Sequence, residues 1–231
     1  IAQSEQAVFA AHPTATVFRY PYVYGPYQVR PREWSFMRRL LEGRREIILP
    51  HYGLSLSTHG WAGNLGHAVL LAADQPEIAA GKVYNCGDLE QLTLAQVVQT
   101  IAATLGREVE IIPVSYEVAG PHRARVLSPQ GHQLLDLTRI RTELGYRDLL
   151  GVREALARTV DWYLAHPPER GGDIERALGD TFDYAAEDRL IALYRQGQAL
   201  LQSAVGEEEE IKWHPYAHPK DAGKLRDQRD R

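Results

Sequence analysis

Three tyrosines near the start of the chain are the first side chains whose types and spacing could do chemistry. They lie in the segment FRYPYVYGP, residues 18–26, directly after an apolar run at residues 14–18. In an open α/β sheet, ligands bind at the carboxyl ends of strands, and Pro and Gly turns there can hold side chains toward a crevice. The segment therefore predicts a strand that ends either in a ligand-facing loop or in an ordinary exit from the sheet.

Two of the nine histidines have a spacing that invites a metal ion. His214 and His218 are four residues apart, but each is followed by a proline, Pro215 and Pro219. Proline disfavours the helix that would present both rings on one face. No cysteine or acidic ligand set accompanies the pair, as a metal site would need. We therefore predict no metal site.

The composition indicates a globular protein with a substantial core. The chain has 231 residues, of which 44% are hydrophobic and 24% charged, so we expect one domain or one domain with an appendage. A net charge of −4 gives no overall attraction for nucleic acid, although a local basic patch could still bind one. Both a nucleic-acid partner and a membrane are therefore disfavoured, and a homodimer stays open.

The cysteine count and the termini bear on the compartment. A single cysteine, Cys86, excludes an intrachain disulfide framework and fits a reducing cytoplasm. No apolar run approaches the roughly 18 to 20 residues that cross a bilayer. The first residues contain neither an initiator Met nor a signal-peptide pattern, so we expect the sequence to begin inside a longer protein.

Helix-like and strand-like segments alternate over the first 165 residues, which predicts an α/β fold rather than a helical bundle. The predicted helices are residues 2–11, 34–42, 64–73, 94–105, 137–144 and 150–165. The predicted strands are residues 14–20, 46–50, 54–58, 82–86 and 109–114. Beyond the linker-like PPERGGD we expect a helical and partly disordered extension, so the predicted domains are residues 1–168 and 169–231.

The order of motifs resembles the C-terminal half of an NAD-dependent epimerase/dehydratase, an extended short-chain dehydrogenase/reductase. The resemblance rests on residues 18–26, 81–106 and 134–163, including VYNCGD at 83–88 and Asp136 followed by Leu144-Gly145-Tyr146. Within that family, residues 24–44 look most like the branch that includes chloroplast stem-loop-binding proteins. The resemblance implies the C-terminal part of a Rossmann-like fold with its smaller substrate-binding lobe, covering roughly residues 1–165.

In such proteins the loop after this strand borders the nicotinamide and the substrate. The resemblance therefore implies that NAD or NADP in the full-length parent contacts Tyr20, Pro21, Tyr22 and Val23. It implies that a sugar-like substrate contacts Tyr22, Tyr24, Arg38 and His59. A purely structural role is the alternative for the tyrosines and for His59.

The catalytic parts of that family are not assigned in this chain. We assign no glycine-rich turn that would bind a pyrophosphate. The family's Tyr-x-x-x-Lys pair, which acts as general acid/base beside the cofactor, would fall at or before residue 1. We therefore predict no catalytic residue, and no turnover by these residues alone.

A second departure concerns the substrate. Many sugar-nucleotide members of the family carry an arginine that pairs with the substrate diphosphate, and the matching position here is Ser57, while Asn64 replaces a later aspartate. Other arginines could supply phosphate contacts instead: Arg30, Arg32, Arg38, Arg39, Arg44 and Arg45. Two functions remain, a sugar-nucleotide enzyme of which this is the substrate-binding half, or a non-catalytic binding protein, with RNA as one ligand.

Overall fold

The computed structural model describes residues 2–118 and 131–205 of the chain. Its elements are the helices α1 (Ala2–Ala11), α2 (Arg32–Leu41), α3 (Ala62–Asp74), α4 (Pro76–Ala79), α5 (Leu94–Thr104), α6 (Thr138–Glu143), α7 (Val152–Ala165), α8 (Asp173–Leu178) and α9 (Tyr184–Val205), and the strands β1 (Val17–Arg19), β2 (Tyr22–Tyr24), β3 (Glu46–Pro50), β4 (His59–Trp61), β5 (Val83–Asn85) and β6 (Glu110–Val114). A short 3₁₀ turn, His51–Gly53, follows β3.

The strands form three parallel pairs, β1 with β5, β2 with β4, and β3 with β6. Parallel strands need long crossovers, and helices supply them here, as the alternating sequence pattern predicts. The α/β fold class is thus confirmed. The predicted strand at 54–58 is wrong: only isolated bridges form at Leu56 and Ser57, and the strand begins directly after the predicted range, at His59–Trp61.

The segment FRYPYVYGP contains two short strands, although the sequence predicts one strand and a loop. β1 pairs with β5, and β2 pairs with β4 in a register that sets Tyr22 against His59. Tyr20 and Pro21 lie between the two strands, and proline has no N–H to donate to a ladder. The chain therefore leaves one partner strand at Pro21 and joins another directly after it.

Two hydrophobic clusters hold these elements together. The larger packs α2, α5 and α7 against β3, and its fully buried side chains include Met37, Leu40, Val98, Ile101 and Val160. The smaller packs α3 and α6 around β5, with Ala68, Tyr84, Ile140 and Tyr146 fully buried. α5 begins with a capping box between Thr93 and Gln96.

The chain divides into two compact units, residues 1–191 and 192–231. Residues 173–191, which the sequence groups with the C-terminal extension, belong to the first unit. They are held to α2 by ion pairs of buried Arg39 with Asp180 and Glu187, each 2.6 Å long. No helix in the described ranges is both long and apolar enough to cross a membrane.

Candidate functional site

A cleft of about 300 Å³ lies where β1 ends and where β2 and β4 begin. Segment 133–135 forms another part of its wall. The lining residues are Tyr20, Pro21, Tyr22, Arg32, Ser57, Thr58, His59, Gln133, Leu134 and Leu135. The volume is within the range of small-molecule sites, and the wall combines aromatic rings with a few polar groups, as such sites usually do.

The phenol oxygen of Tyr22 is surrounded by groups of the protein itself. It accepts hydrogen bonds from Gln28 Nε2 and from the Arg32 backbone N–H, the latter at 3.1 Å. Two acceptors also lie within reach, the Arg30 carbonyl at 3.1 Å and Glu33 Oε2 at 3.2 Å. A phenol has one hydrogen, so it can donate to only one of them at a time. Tyr22 therefore offers the cleft its ring more than its hydroxyl.

Arg32 brings a positive charge to the cleft. Its guanidinium carbon lies 4.1 Å from the centre of the Tyr22 ring, a cation–π distance. In the part of the chain that the structure describes, the Arg32 side chain forms no salt bridge. An arginine without a carboxylate partner is free to pair with a phosphate or carboxylate of a ligand.

His59 is a neutral ring in the wall of the cleft. Its imidazole packs edge-on against the Tyr22 ring at 5.5 Å and against the Tyr24 ring at 6.5 Å. Burial and the nearby Arg32 charge lower the pKa of His59 to about 4. His59 is therefore uncharged near neutral pH, and it can donate or accept a hydrogen bond but cannot act as a general acid there.

Glu33 lies directly behind this wall, in the first turn of α2. It is only 3% exposed, and burial raises the pKa of its carboxyl to about 7, although the Tyr22 hydrogen bond lowers it in part. Together with Tyr24 and His59 it lines a small internal cavity of about 10 Å³. That is room for one water molecule.

The chain is similar in sequence to enzymes that act on sugar nucleotides, over part of their length. No protein-family model matches the chain. The dTDP-glucose 4,6-dehydratase of Streptomyces griseus is 31% identical over 153 residues, which cover 62% of this chain and 40% of that protein. The chain spans between 39% and 47% of the length of eight curated relatives that it matches.

Two solved structures share the architecture. The UDP-glucuronic acid 4-epimerase of Bacillus cereus, solved with UDP-glucuronic acid and NAD, superposes with a TM-score of 0.57 at 16% identity, covering 71% of this chain and 50% of that one. The dTDP-glucose 4,6-dehydratase DesIV of Streptomyces venezuelae, solved with NAD and TYD, gives 0.54 at 24% identity, covering 74% and 50%. The chain has the fold of the NAD-dependent epimerases and dehydratases.

The epimerase/dehydratase fold brings together four of the sequence-predicted site residues. Tyr20, Pro21, Tyr22 and His59 all line the cleft. Val23 does not, because its side chain points to the other side of β2 from Tyr22 and packs against the smaller hydrophobic cluster. The Val23 carbonyl accepts a 2.6 Å hydrogen bond from Gln28 Nε2.

Tyr24 and Arg38 lie away from the cleft. Tyr24 is 2% exposed and belongs to the larger hydrophobic cluster, so it reaches only the small internal cavity. Arg38 pairs with Glu175 at 2.6 Å and Glu42 at 3.3 Å, and its guanidinium lies over the Phe182 ring. Its charge therefore holds α8 against α2, and it is not among the residues of the cleft.

The sequence-based assignment missed Glu33, and it named Arg32 only among six candidate phosphate contacts. A signal was present, because both residues follow Pro31 at the start of α2, the first helix after the strand that carries Tyr22. Gln133, Leu134 and Leu135 come from a distant segment, and nothing in their sequence marks them as wall residues. Only the fold brings that segment to the cleft.

A glycine spacing of the nucleotide-binding type, contrary to the prediction that there is none, runs from β4 into the first turns of α3 in this epimerase/dehydratase fold. Gly60, Gly63 and Gly66 follow the pattern G-x-x-G-x-x-G. A Cβ on Gly63 would lie 2.1 Å from the Trp61 ring, so that ring fills the space beside the glycine. Asp88 Oδ1 accepts the Trp61 N–H at 3.0 Å, which puts a carboxylate of the chain itself at the helix N-terminus. The turn does not fit a pyrophosphate.

Metal and thiol chemistry find little support in the described ranges. Within residues 2–118 and 131–205, no three His, Cys, Asp or Glu side chains lie close enough together to bind a metal ion. His214 and His218 lie outside the described residues. Cys86 is fully buried, and burial raises the pKa of its thiol to about 12, which disfavours a nucleophilic role.

Proposed function

We propose that the chain is the substrate-binding part of an NAD(P)-dependent epimerase, dehydratase or reductase that acts on a sugar nucleotide. The observation that carries this proposal is the position of Arg32, whose guanidinium lies in the cleft without a salt bridge to any described residue. Ser57, which replaces the diphosphate-binding arginine of many family members, lines the same cleft. Arg32 would thus supply from α2 the positive charge that position 57 lacks.

The remaining wall suits the sugar part of such a ligand. The hydroxyls of Ser57 and Thr58 and the amide of Gln133 can exchange hydrogen bonds with sugar hydroxyls. The Tyr22 ring supplies an apolar face beside them. A solved relative of this fold holds UDP-glucuronic acid and NAD, which supports the same ligand class for this chain.

The cofactor contacts of this chain would be limited to its nicotinamide end. NAD(P), when bound, takes up and returns a hydride. Tyr20 and Pro21, at the end of β1, are the residues we propose beside it, because they line the cleft at the carboxyl end of that strand. The pyrophosphate would need other residues, since the only glycine-rich spacing is filled by Trp61 and Asp88.

The described part of the cleft lacks a group that exchanges protons near neutral pH. Burial raises the phenol pKa of Tyr20 and of Tyr22, and it lowers the pKa of His59 to about 4. We therefore propose that the cleft binds and orients the substrate and that these residues alone do not turn it over. The stem-loop-binding branch and the non-catalytic RNA-binding alternative stay predictions.

Titration calorimetry of the 231-residue chain with UDP-glucose and dTDP-glucose tests this proposal. We expect measurable binding that Arg32→Gln weakens about tenfold or more, because a charge-assisted contact to phosphate is lost. Arg158→Gln is the matched control, since Arg158 is exposed on α7, outside the cleft, and pairs with Glu154. Absence of binding, or an equal effect of both variants, would refute the proposal, and preferential binding of a hairpin RNA would support the alternative.

A further inference from the structure

Glu33 is a buried carboxyl that contacts the cleft only through another side chain. It is 3% exposed, and its Oε2 atom lies 3.2 Å from the phenol oxygen of Tyr22. The Tyr22 ring in turn lies beneath the Arg32 guanidinium. A chain of three side chains therefore connects an internal carboxyl to the positive charge of the cleft.

The surroundings of Glu33 are apolar apart from a few groups. α5 and α7 contribute the apolar side chains Leu94, Val97, Val152 and Leu156 to the cavity beside it. The titratable or charged groups that face Glu33 are Tyr22 and Tyr24 from β2, His59 from β4, Tyr163 from α7, and Arg32 from its own helix.

The hydrogen bonds at Tyr22 have two alternative arrangements. With Glu33 ionised, the Tyr22 O–H can donate to the carboxylate, which is the stronger acceptor. With Glu33 protonated, the carboxyl is a weaker acceptor, and the Tyr22 O–H can donate to the Arg30 carbonyl instead. Gln28 Nε2 donates to the phenol oxygen in both arrangements.

We infer that Glu33 is a positioning residue whose proton decides the direction of the Tyr22 hydrogen bond and sets the charge that an anionic ligand meets beside Arg32. The part concerning the ligand rests on the proposed function. The negative charge of an ionised Glu33 repels an anionic ligand in the cleft, and protonation of Glu33 removes that repulsion. Protonation of Glu33 should therefore strengthen the binding of a sugar diphosphate.

The electrostatics of the cluster make this behaviour measurable. Burial raises the pKa of Glu33 to about 7 and lowers that of His59 to about 4. Burial also raises the phenol pKa of Tyr22, Tyr24 and Tyr163 above its ordinary value. Among the described groups that face the cavity, Glu33 alone should thus change charge between about pH 5.5 and 8.5.

The first experiment needs no ligand. The full chain is labelled with ¹³C at the Glu carboxyl carbons and at the Tyr ζ carbons, and both are followed by NMR against pH. We expect the Glu33 carboxyl and the Tyr22 ζ carbon to shift with one common midpoint near 7. The Tyr22 shift should vanish in Glu33→Gln and persist in Glu154→Gln, an exposed control on α7.

A second variant guards against misfolding of Glu33→Gln. Tyr22→Phe removes a hydrogen bond that lowers the pKa of Glu33, so the Glu33 midpoint should move upward in that variant. A Glu33 midpoint near that of an exposed glutamate would overturn the inference. So would a Tyr22 ζ-carbon shift that does not change as Glu33 titrates.

The second experiment measures UDP-glucose affinity by calorimetry over the same pH range. Its diphosphate is esterified at both ends and has no ionisation near neutral pH, so any pH dependence reports on the protein. We expect affinity to rise about threefold to tenfold as pH falls through 7, and Glu33→Gln to bind tightly at every pH. A pH-independent affinity in the unchanged chain would contradict the inference. Failure to bind at any pH would refute the proposed function, and the NMR titration would then decide the role of Glu33.

Discussion

Asn64 donates a hydrogen bond to Asp88 in the interior, with 2.9 Å between Asn64 Nδ2 and Asp88 Oδ1. Both side chains are almost fully buried, at 0% and 1% exposure. Asn64 Oδ1 also accepts the backbone N–H groups of Leu149 and Leu150, at 2.9 and 3.2 Å. The amide thus uses its donor and its acceptor ends at once, and it ties the start of α3 to the segments that precede α5 and α7.

Replacement of Asn64 by Asp should strongly destabilise the protein. The carboxylate keeps the acceptor contacts to Leu149 and Leu150 but loses the donor, and it sets a second buried negative charge beside Asp88. We expect a loss of about 3 kcal/mol or more in the free energy of unfolding, measured by urea denaturation. Asn85→Asp, where the amide donates to the Asp136 carbonyl, should cost less than half as much. Equal losses would show that the buried hydrogen bonds of Asn64 contribute no more to stability than the hydrogen bond of Asn85.

Loss of Arg39 should be comparably costly. Its guanidinium is 5% exposed and pairs with Asp180 and Glu187, so Arg39→Met leaves buried Asp180 without its cation and leaves Glu187 with the longer 3.4 Å contact to Arg44. We expect about 3 to 5 kcal/mol of destabilisation in urea denaturation. Arg158→Met removes an exposed helical ion pair and should change the free energy by no more than about 0.5 kcal/mol. A small effect of Arg39→Met would mean that the ion cluster does not hold residues 173–191 in place.

Glu33 and His59 should have opposite effects on stability as pH changes. The raised pKa of Glu33 means that the folded state holds an extra proton between about pH 4.5 and 7, so its contribution falls as pH rises through that window. The lowered pKa of His59 means that the unfolded state holds the extra proton between about 4 and 6.5, so its contribution rises there. The two slopes nearly cancel from about 4.5 to 6.5.

In Glu33→Gln, the pH dependence of the free energy of unfolding that comes from His59 should no longer be cancelled. The stability of the variant relative to the unchanged chain should rise by on the order of 3 kcal/mol between pH 4.5 and 7.5, because Gln has no charge to bury at the higher pH. Urea denaturation of both proteins at several pH values gives this difference directly. A difference that stays constant with pH would contradict the raised pKa of Glu33.

Tyr22→Phe should lower the free energy of unfolding, in addition to removing any contact of the hydroxyl with a ligand. Gln28 Nε2 and the Arg32 N–H donate to the phenol oxygen, and both would lose that acceptor in a partly buried setting. We expect about 1 to 3 kcal/mol of destabilisation by thermal or urea unfolding. Tyr27→Phe is the control, because Tyr27 is 84% exposed, and its melting temperature should hardly change. A stable Tyr22→Phe variant with weakened ligand binding would instead indicate that the hydroxyl serves the ligand.

NAD(H) and NADP(H) should not bind measurably to this chain by itself. The Gly60–Gly63–Gly66 spacing lies at the start of a helix, but the Trp61 ring and the Asp88 carboxylate occupy the place of a pyrophosphate. Calorimetry with either cofactor checks this, with UDP-glucose titrated in parallel. Micromolar cofactor affinity would overturn this interpretation of the turn.

Local patterns in the sequence were sufficient for the fold class and for part of the site. Alternating helix and strand segments predict parallel strands with helical crossovers, and the capping residue Thr93 fixes where α5 begins. The cluster of tyrosines with Pro21 marks the end of a strand, and Tyr20, Pro21 and Tyr22 do line the cleft. These features depend on neighbours in the chain, which a sequence displays directly.

The tertiary structure decided which charges are available to a ligand and which are already paired. Arg32 and Arg38 lie six residues apart on one helix, and nothing in the sequence indicates that their roles differ. Arg38 meets Glu175, 137 residues away, and is neutralised by it, whereas Arg32 lies over Tyr22 and faces the cleft. Burial likewise gives Glu33 and His59 pKa values that their residue types do not reveal. Ion pairing and desolvation depend on contacts between distant segments, so only the folded chain determines them.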